Sequence, residues 1–182
     1  MKKLFVLVAL FAADASTYAQ MTNFFALVET GTPHQIQAAI DAGADVNASD
    51  TFGSTPLLLA AKYNQNPLAL IVLLDAGAEV NSRSDLYKTP LIAAAGSNPN
   101  PEVITTLLKA GADLRARDRN GWTPLIHAAA STSNPEVVAT LLKAGANAKG
   151  KDSWGKTAFD YAQNNPSLKA TDVCRQLQEA SQ

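Results

Sequence analysis

Thr55, Thr89, Thr123 and Thr157 stand 34 residues apart, and two other residue types keep the same interval. Gly43, Gly77, Gly111 and Gly145 keep it in a second phase, and Pro33, Pro67, Pro101 and Pro135 in a third. Three phases of one repeat constrain the chain to a stack of equivalent units. A unit of this length cannot bury its own apolar face and must pack on its neighbours.

The residues inside the period read as paired helices. Each Thr-Pro pair is a helix start, with the hydroxyl as N-cap and proline at the first helical position, where its missing N–H is harmless. Asn66-Pro67, Asn100-Pro101 and Asn134-Pro135 mark a second start in each unit. Glu102 and Glu136 then place negative charge in the first turn, where the helix dipole favours it. The second helices carry apolar residues at Ile36, Leu70, Ile104 and Val138, and four residues later at Ile40, Leu74, Leu108 and Leu142. This spacing predicts one buried stripe per helix. The periodic glycines end those helices in the left-handed conformation that glycine tolerates.

The segments Thr55-Pro56-Leu57-Leu58-Leu59-Ala60-Ala61, Thr89-Pro90-Leu91-Ile92-Ala93-Ala94-Ala95 and Thr123-Pro124-Leu125-Ile126-His127-Ala128-Ala129 resemble the ankyrin signature. So do the tails Asp41-Ala42-Gly43-Ala44-Asp45-Val46-Asn47 and Asp75-Ala76-Gly77-Ala78-Glu79-Val80-Asn81. The resemblance covers about residues 21 to 180. It implies an all-α repeat solenoid of helix-turn-helix units with hairpin-like finger loops, and a protein-binding role. The usual ankyrin unit is one residue shorter. The extra residue is expected in the inter-helix loops 63–66, 96–100 and 130–134. The histidine of the family motif is replaced by Leu58, Ile92 and Ile126, so apolar packing is expected to substitute for its hydrogen bonds. Tyr87 stands where a finger glycine is expected. Arg115 and Lys149 stand where Asn47 and Asn81 do, and both changes point to the surface and to function.

Residues 1–19 fall outside the period. Lys2 and Lys3, the apolar run from Leu4 to Ala13, and the small residues Ala15, Ser16 and Ala19 have the layout of a secretory signal peptide. The run is shorter than the roughly 20 residues needed to cross a bilayer. Cleavage is expected after Ala19, with Ala15 as the alternative, and the short Met-Lys-Lys opening points to a bacterial periplasmic or secreted protein. The expected organisation is a cap at 20–49, full repeats at 50–83, 84–117 and 118–151, and a cap at 152–182. Cys174 is the only cysteine, so no disulfide can form within the chain. It reads as a small apolar residue of the last helix, or as a thiol that pairs with another molecule.

Little in the chain points to catalysis or to a cofactor. No Cys/His cluster has metal-ligand spacing, and the glycines are repeat punctuation, with no phosphate-binding loop among them. His34 reads as a surface residue and His127 as a partly buried structural one. Asp50, Asp118 and Asp152 precede turns and read as turn-forming acceptors. A remote alternative is an enzyme that uses His127 with a neighbouring carboxylate.

In ankyrin proteins partners usually meet the finger tips and the exposed face of the first helices. Carried onto this sequence, that implies Phe52, Tyr63, Leu86, Tyr87, Lys88, Arg117, Arg119, Trp122, Trp154 and Lys156 as partner-binding residues. Large aromatic side chains are frequent interface anchors, and Phe52 and Trp122 are the leading candidates. The chain carries a net charge of −1, but residues 20–83 carry −4 and residues 84–156 carry +3. Arg115, Arg117, Arg119, Lys149, Lys151 and Lys156 would align as a basic stripe on stacking. The expected partner is therefore a protein with an acidic patch. Nucleic acid is disfavoured by the near-neutral balance, and the mature chain is expected to be a monomer without a membrane role. An inhibitor or immunity protein for a secreted toxin or enzyme is the alternative form of the same binding function.

Overall fold

The computed structural model describes the backbone of residues 15–182 and the side chains of residues 23–182. Ten helices follow one another among these residues. They are α1 (Ala15–Thr30), α2 (Pro33–Asp41), α3 (Pro56–Tyr63), α4 (Pro67–Asp75) and α5 (Pro90–Ser97), then α6 (Pro101–Lys109), α7 (Pro124–Ser131), α8 (Pro135–Lys143), α9 (Ala158–Ala162) and α10 (Asp172–Ser181). The odd-numbered helices stack on one another as an inner layer, and the even-numbered ones stack behind them as an outer layer. The helical pairs return every 34 residues, as the periodicity predicts. Most of the expected leader lies outside the described residues; α1 begins at Ala15, within its last stretch. No helix among the described residues is long and apolar enough to cross a membrane.

The starts are where the Thr-Pro and Asn-Pro pairs put them. The hydroxyls of Thr55, Thr89 and Thr123 accept from the amides of Leu58, Ile92 and Ile126 at 3.3–3.4 Å. The side-chain oxygens of Asn66, Asn100 and Asn134 accept from Leu68, Glu102 and Glu136 at 2.9–3.0 Å. Each such cap is worth about 1 kcal/mol. At the far ends of the outer helices Gly43, Gly77, Gly111 and Gly145 take φ of 89–96°, the left-handed stop that a side chain disfavours.

The inner helices are thin because alanines line their contacts: Ala60, Ala61, Ala94, Ala95, Ala128 and Ala129 are fully buried. Leu58, Ile92 and Ile126 are buried too, so aliphatic packing does replace the hydrogen-bonding histidine at that position. The outer stripe needs a correction of one residue. Leu73, Leu107 and Leu141 are fully buried, whereas Ile40, Leu74, Leu108 and Leu142 are half-buried. The reason is angular. With Val103, Ile104 and Leu107 facing the inner helix, the buried face centres about 50° to one side of Ile104, and Leu108 falls at its rim.

Two ladders of asparagine tie consecutive units together. In the inter-helix loops the buried Asn64 donates Nδ2 to the carbonyls of Val28 and Gly31 (3.1 and 3.0 Å). Asn98 does the same to Ala61 and Asn64 (3.0 and 2.9 Å), and Asn165 to Ala129 and Thr132 (3.2 and 3.0 Å). Near the outer-helix ends Asn47 donates to the carbonyl of Gly77 and accepts from the amide of Glu79, and Asn81 repeats this with Gly111 and Asp113. Both ladders fail at the same junction, and the outer one does not resume, since Lys149 stands at its next position. Thr132 replaces the buried asparagine and turns its hydroxyl to the carbonyl of Asn134, and Arg115 replaces the outer one. The α5–α6 and α7–α8 pairs therefore meet without either tie.

Candidate functional site

Four fingers project from the inner layer, at residues 50–54, 84–88, 118–122 and 152–156. In the first, third and fourth an aspartate builds the turn. Oδ1 of Asp50 accepts from the amides of Phe52 and Ser54, that of Asp118 from Asn120 and Trp122, and that of Asp152 from Trp154 and Lys156, all at 2.8–2.9 Å. These are the turn acceptors expected from sequence. Neighbouring fingers are joined by one backbone bond each: the amides of Asp85, Arg119 and Ser153 donate to the carbonyls of Phe52, Leu86 and Asn120 at 3.0–3.2 Å.

The second oxygen of the aspartate distinguishes the two halves of the array. Oδ2 of Asp118 bonds His127 Nε2 at 2.9 Å, and Oδ2 of Asp152 accepts from the Tyr161 hydroxyl at 2.6 Å. His127 and Tyr161 sit nine residues after their aspartates, on the inner helices α7 and α9, so these bonds fasten fingers three and four to their own helices. Trp122 fills the space between the two rings, with centroids 5.0 Å from His127 and 4.6 Å from Tyr161. Burial outweighs the pull of Asp118 and, with the nearby Lys88 ammonium, holds the His127 pKa below its ordinary value. Burial, then the bond to Asp152, pushes the Tyr161 phenol up to about 12. Burial also acts to raise the Asp152 carboxyl, but the Tyr161 hydroxyl and the two finger amides outweigh it and hold its pKa low.

At the equivalent positions after fingers one and two stand Leu59 and Ala93, which cannot make this bond, and finger two carries Ser84 in place of the aspartate. A groove of about 640 Å3 opens there, bounded by fingers one and two and the inner helices α3, α5 and α7. Phe52, Tyr63, Leu86 and Lys88 line it, as do Leu58, Leu59 and Ile92 at its base. Phe52 is 72% exposed, Leu86 53% and Tyr63 47%, an unusual density of large apolar surface around one concavity. Charge in the groove is mixed: Glu29, Asp50 and Asp85 against Lys62 and Lys88. Lys62 holds its ammonium 4.6 Å from the centre of the Tyr63 ring. A smaller apolar recess of about 290 Å3 lies between α1 and α2, beside Phe24, Phe25 and Ala39. It adjoins the stretch of α1 whose side chains are outside the described residues.

The other expected site residues lie elsewhere. Trp122 is the clear correction: it is half-buried against the core instead of displayed, because the last residue of its finger leans inward between two rings. Its Nε1 is buried without a hydrogen-bond partner in good geometry, yet it lies close enough to Asp152 to help hold that carboxyl low. Arg117 and Arg119 are cross-struts between fingers. Arg117 donates Nη1 to the carbonyls of Gly121 and Lys151 at 2.7 and 2.8 Å, and Arg119 donates Nη2 to the carbonyl of Asp85 at 2.7 Å. The stripe thus spends two of its cations on the scaffold. Tyr87 is exposed at the tip of finger two, with Arg119 5.8 Å from its ring centre. It is the one non-glycine among the described residues with positive φ, at 60°. Trp154 and Lys156 are exposed on finger four, outside the groove.

Arg115 is exposed, as expected, and because its position carries an inter-unit tie at Asn47 and Asn81, its identity bears on folding as well. The groove floor of Leu58 and Ile92 escaped notice because both read as core. So did Leu68 and Ile71, which are exposed on α4; the glutamates and the Thr105 and Ala139 found at the same positions of α6 and α8 were the available signal. No group of side chains among the described residues could hold a metal ion.

Compared with known proteins, the chain matches the family model described as ankyrin repeats (3 copies) over residues 24–118 and again over 95–181. No curated protein matches it.

Proposed function

Because the chain belongs to the ankyrin-repeat family, we propose that it is a non-enzymatic binding module whose protein partner enters the groove between fingers one and two and the inner helices. The observation that carries this reading is the ring of exposed Phe52, Leu86 and Tyr63 around a single concavity. A preformed surface of this kind lowers the ordering cost of association, and buried aromatic anchors supply much of the affinity. His127 belongs to the scaffold in this reading, since its Nε2 is bonded to Asp118.

Residues 20–182 and a Phe52→Ala/Leu86→Ala variant, both checked for native circular dichroism, provide the test in a pull-down from the host's own extract. The expected result is a partner held by the wild type and lost by the variant. Equal retention would move the site off the groove. Export belongs to the same proposal and is supported by the Lys2-Lys3 opening, the short apolar run and the small residues ending at Ala19. Mass spectrometry of protein recovered from the exported fraction should find Gln20 as the first residue; an intact Met1 would remove the claim.

A further inference from the structure

The array shows twice what the finger aspartate binds with its outer oxygen. In finger three the donor is an imidazole and in finger four a phenol, each supplied from the inner helix nine residues on. Finger one keeps the aspartate and its turn, with Oδ1 of Asp50 committed to the amides of Phe52 and Ser54. No described residue donates to Asp50 Oδ2, because the position nine residues on is Leu59. Asp50 and Leu59 both line the groove, with Phe52 and Tyr63 exposed beside them. The same aspartate, held by the same turn over the same helix, thus faces an open groove here and a donor of the chain itself in fingers three and four.

We infer that Asp50 and Leu59 form a socket for a tyrosine side chain of the partner protein, whose phenol donates to Asp50 Oδ2 while its ring lies over Leu59 against Phe52. This rests on the groove being the binding face. Two observations select the occupant. The donor must reach across Leu59 from outside, which calls for a long side chain with a terminal donor, and the internal precedent with that reach is the Tyr161 hydroxyl at 2.6 Å from its aspartate. The charges lining the groove nearly cancel, three carboxylates against two ammoniums, and exposed pairs contribute little in water. A neutral aromatic donor that gains apolar contact and a hydrogen bond to a charged acceptor is therefore favoured over a lysine or arginine.

The test uses N-acetyl-tyrosinamide, N-acetyl-phenylalaninamide and N-acetyl-lysinamide as probes against residues 20–182, followed by amide NMR shifts. The tyrosine probe should move the Phe52 and Ser54 amides saturably, and the phenylalanine probe should bind about tenfold more weakly, the worth of one charge-assisted hydrogen bond. Asp50→Asn keeps an oxygen for the two turn amides and should erase that preference. Leu59→Tyr rebuilds the finger-four arrangement within the chain, so it should raise the melting temperature and abolish binding of the probe. Equal binding of tyrosine and phenylalanine probes, stronger binding of the lysine probe, no saturable shift, or unchanged binding by Leu59→Tyr would each overturn the inference. A captured partner lost by Phe52→Ala/Leu86→Ala but retained by Leu59→Tyr would leave the groove as the site and remove the tyrosine socket.

Discussion

Tyr87 is the residue at which sequence and backbone disagree most openly. Gly53, Gly121 and Gly155 occupy the same place in their fingers with φ of 70–77°, and Tyr87 takes 60° there. The left-handed conformation costs a residue with a Cβ about 1–2 kcal/mol, so Tyr87→Gly should stabilise the protein by roughly 1 kcal/mol, read as a higher urea midpoint. No gain would mean that the Arg119 contact offsets the strain. His127 makes the second prediction at this scale. Its pKa is lowered in the fold, so the unfolded chain takes up the proton first as pH falls. The contribution is intact above the unfolded value near 6.5 and is lost as pH drops towards and through the folded one, with a slope no steeper than about 1.4 kcal/mol per pH unit. Urea midpoints at about pH 7.5 and about pH 5.5 should therefore differ, and differ less in His127→Gln. An undiminished difference in that variant would place the pH dependence in another group.

At the scale of the element, what could be read from the sequence was whatever recurs. Helix starts and stops were legible because Thr-Pro, Asn-Pro and glycine act through local backbone chemistry, visible in a few adjacent residues. Which way a side chain leans was not legible. Trp122 turned inward because His127 and Tyr161 wait on two successive inner helices, a contact that no local pattern encodes. The groove was legible through Phe52, Tyr63, Leu86 and Lys88, yet its cause lay in Leu59 and Ala93, which carry no hydrogen-bond donor, and that matters only once the finger aspartates are seen to need a partner. The asparagine ladders likewise join residues 30–37 apart. They also yield a prediction. Thr132→Asn fits the space of a residue of nearly equal size and would offer donors to the preceding unit as Asn98 does. It should raise stability by about 1 kcal/mol, checked by urea unfolding; destabilisation would show that the junction geometry excludes the rung. Asn98→Ala removes two bonds to buried carbonyls and should lower stability by about 2–4 kcal/mol.

For the whole molecule the junction between α5–α6 and α7–α8 matters most, since both asparagine ties are missing there. What spans it instead includes the backbone bond from Arg119 to Leu86, the Arg119 strut to Asp85, and Asn134 Nδ2 to the carbonyl of Pro99 at 2.8 Å. In a linear array, cooperativity is carried by nearest-neighbour interfaces. Chemical unfolding should therefore broaden or split, with amides of α3–α6 and α7–α10 exchanging as separate groups. Restoring both rungs with Thr132→Asn/Arg115→Asn should sharpen it into one transition. A single sharp transition in the wild type, with uniform exchange protection, would show that the inner-helix packing alone couples the halves.

If unfolding splits as expected, the array would bend at this junction, much as a folding ruler does at its joint. Phe52, Tyr63 and Leu86 all lie on one side of it, while His127 and Ser131, on α7 across the crease, close the groove's far end. Flexing there would leave the apolar wall intact and change only how far the groove's mouth stands open. The missing rungs thus lie where any bending would widen or narrow the groove's mouth without deforming its apolar wall.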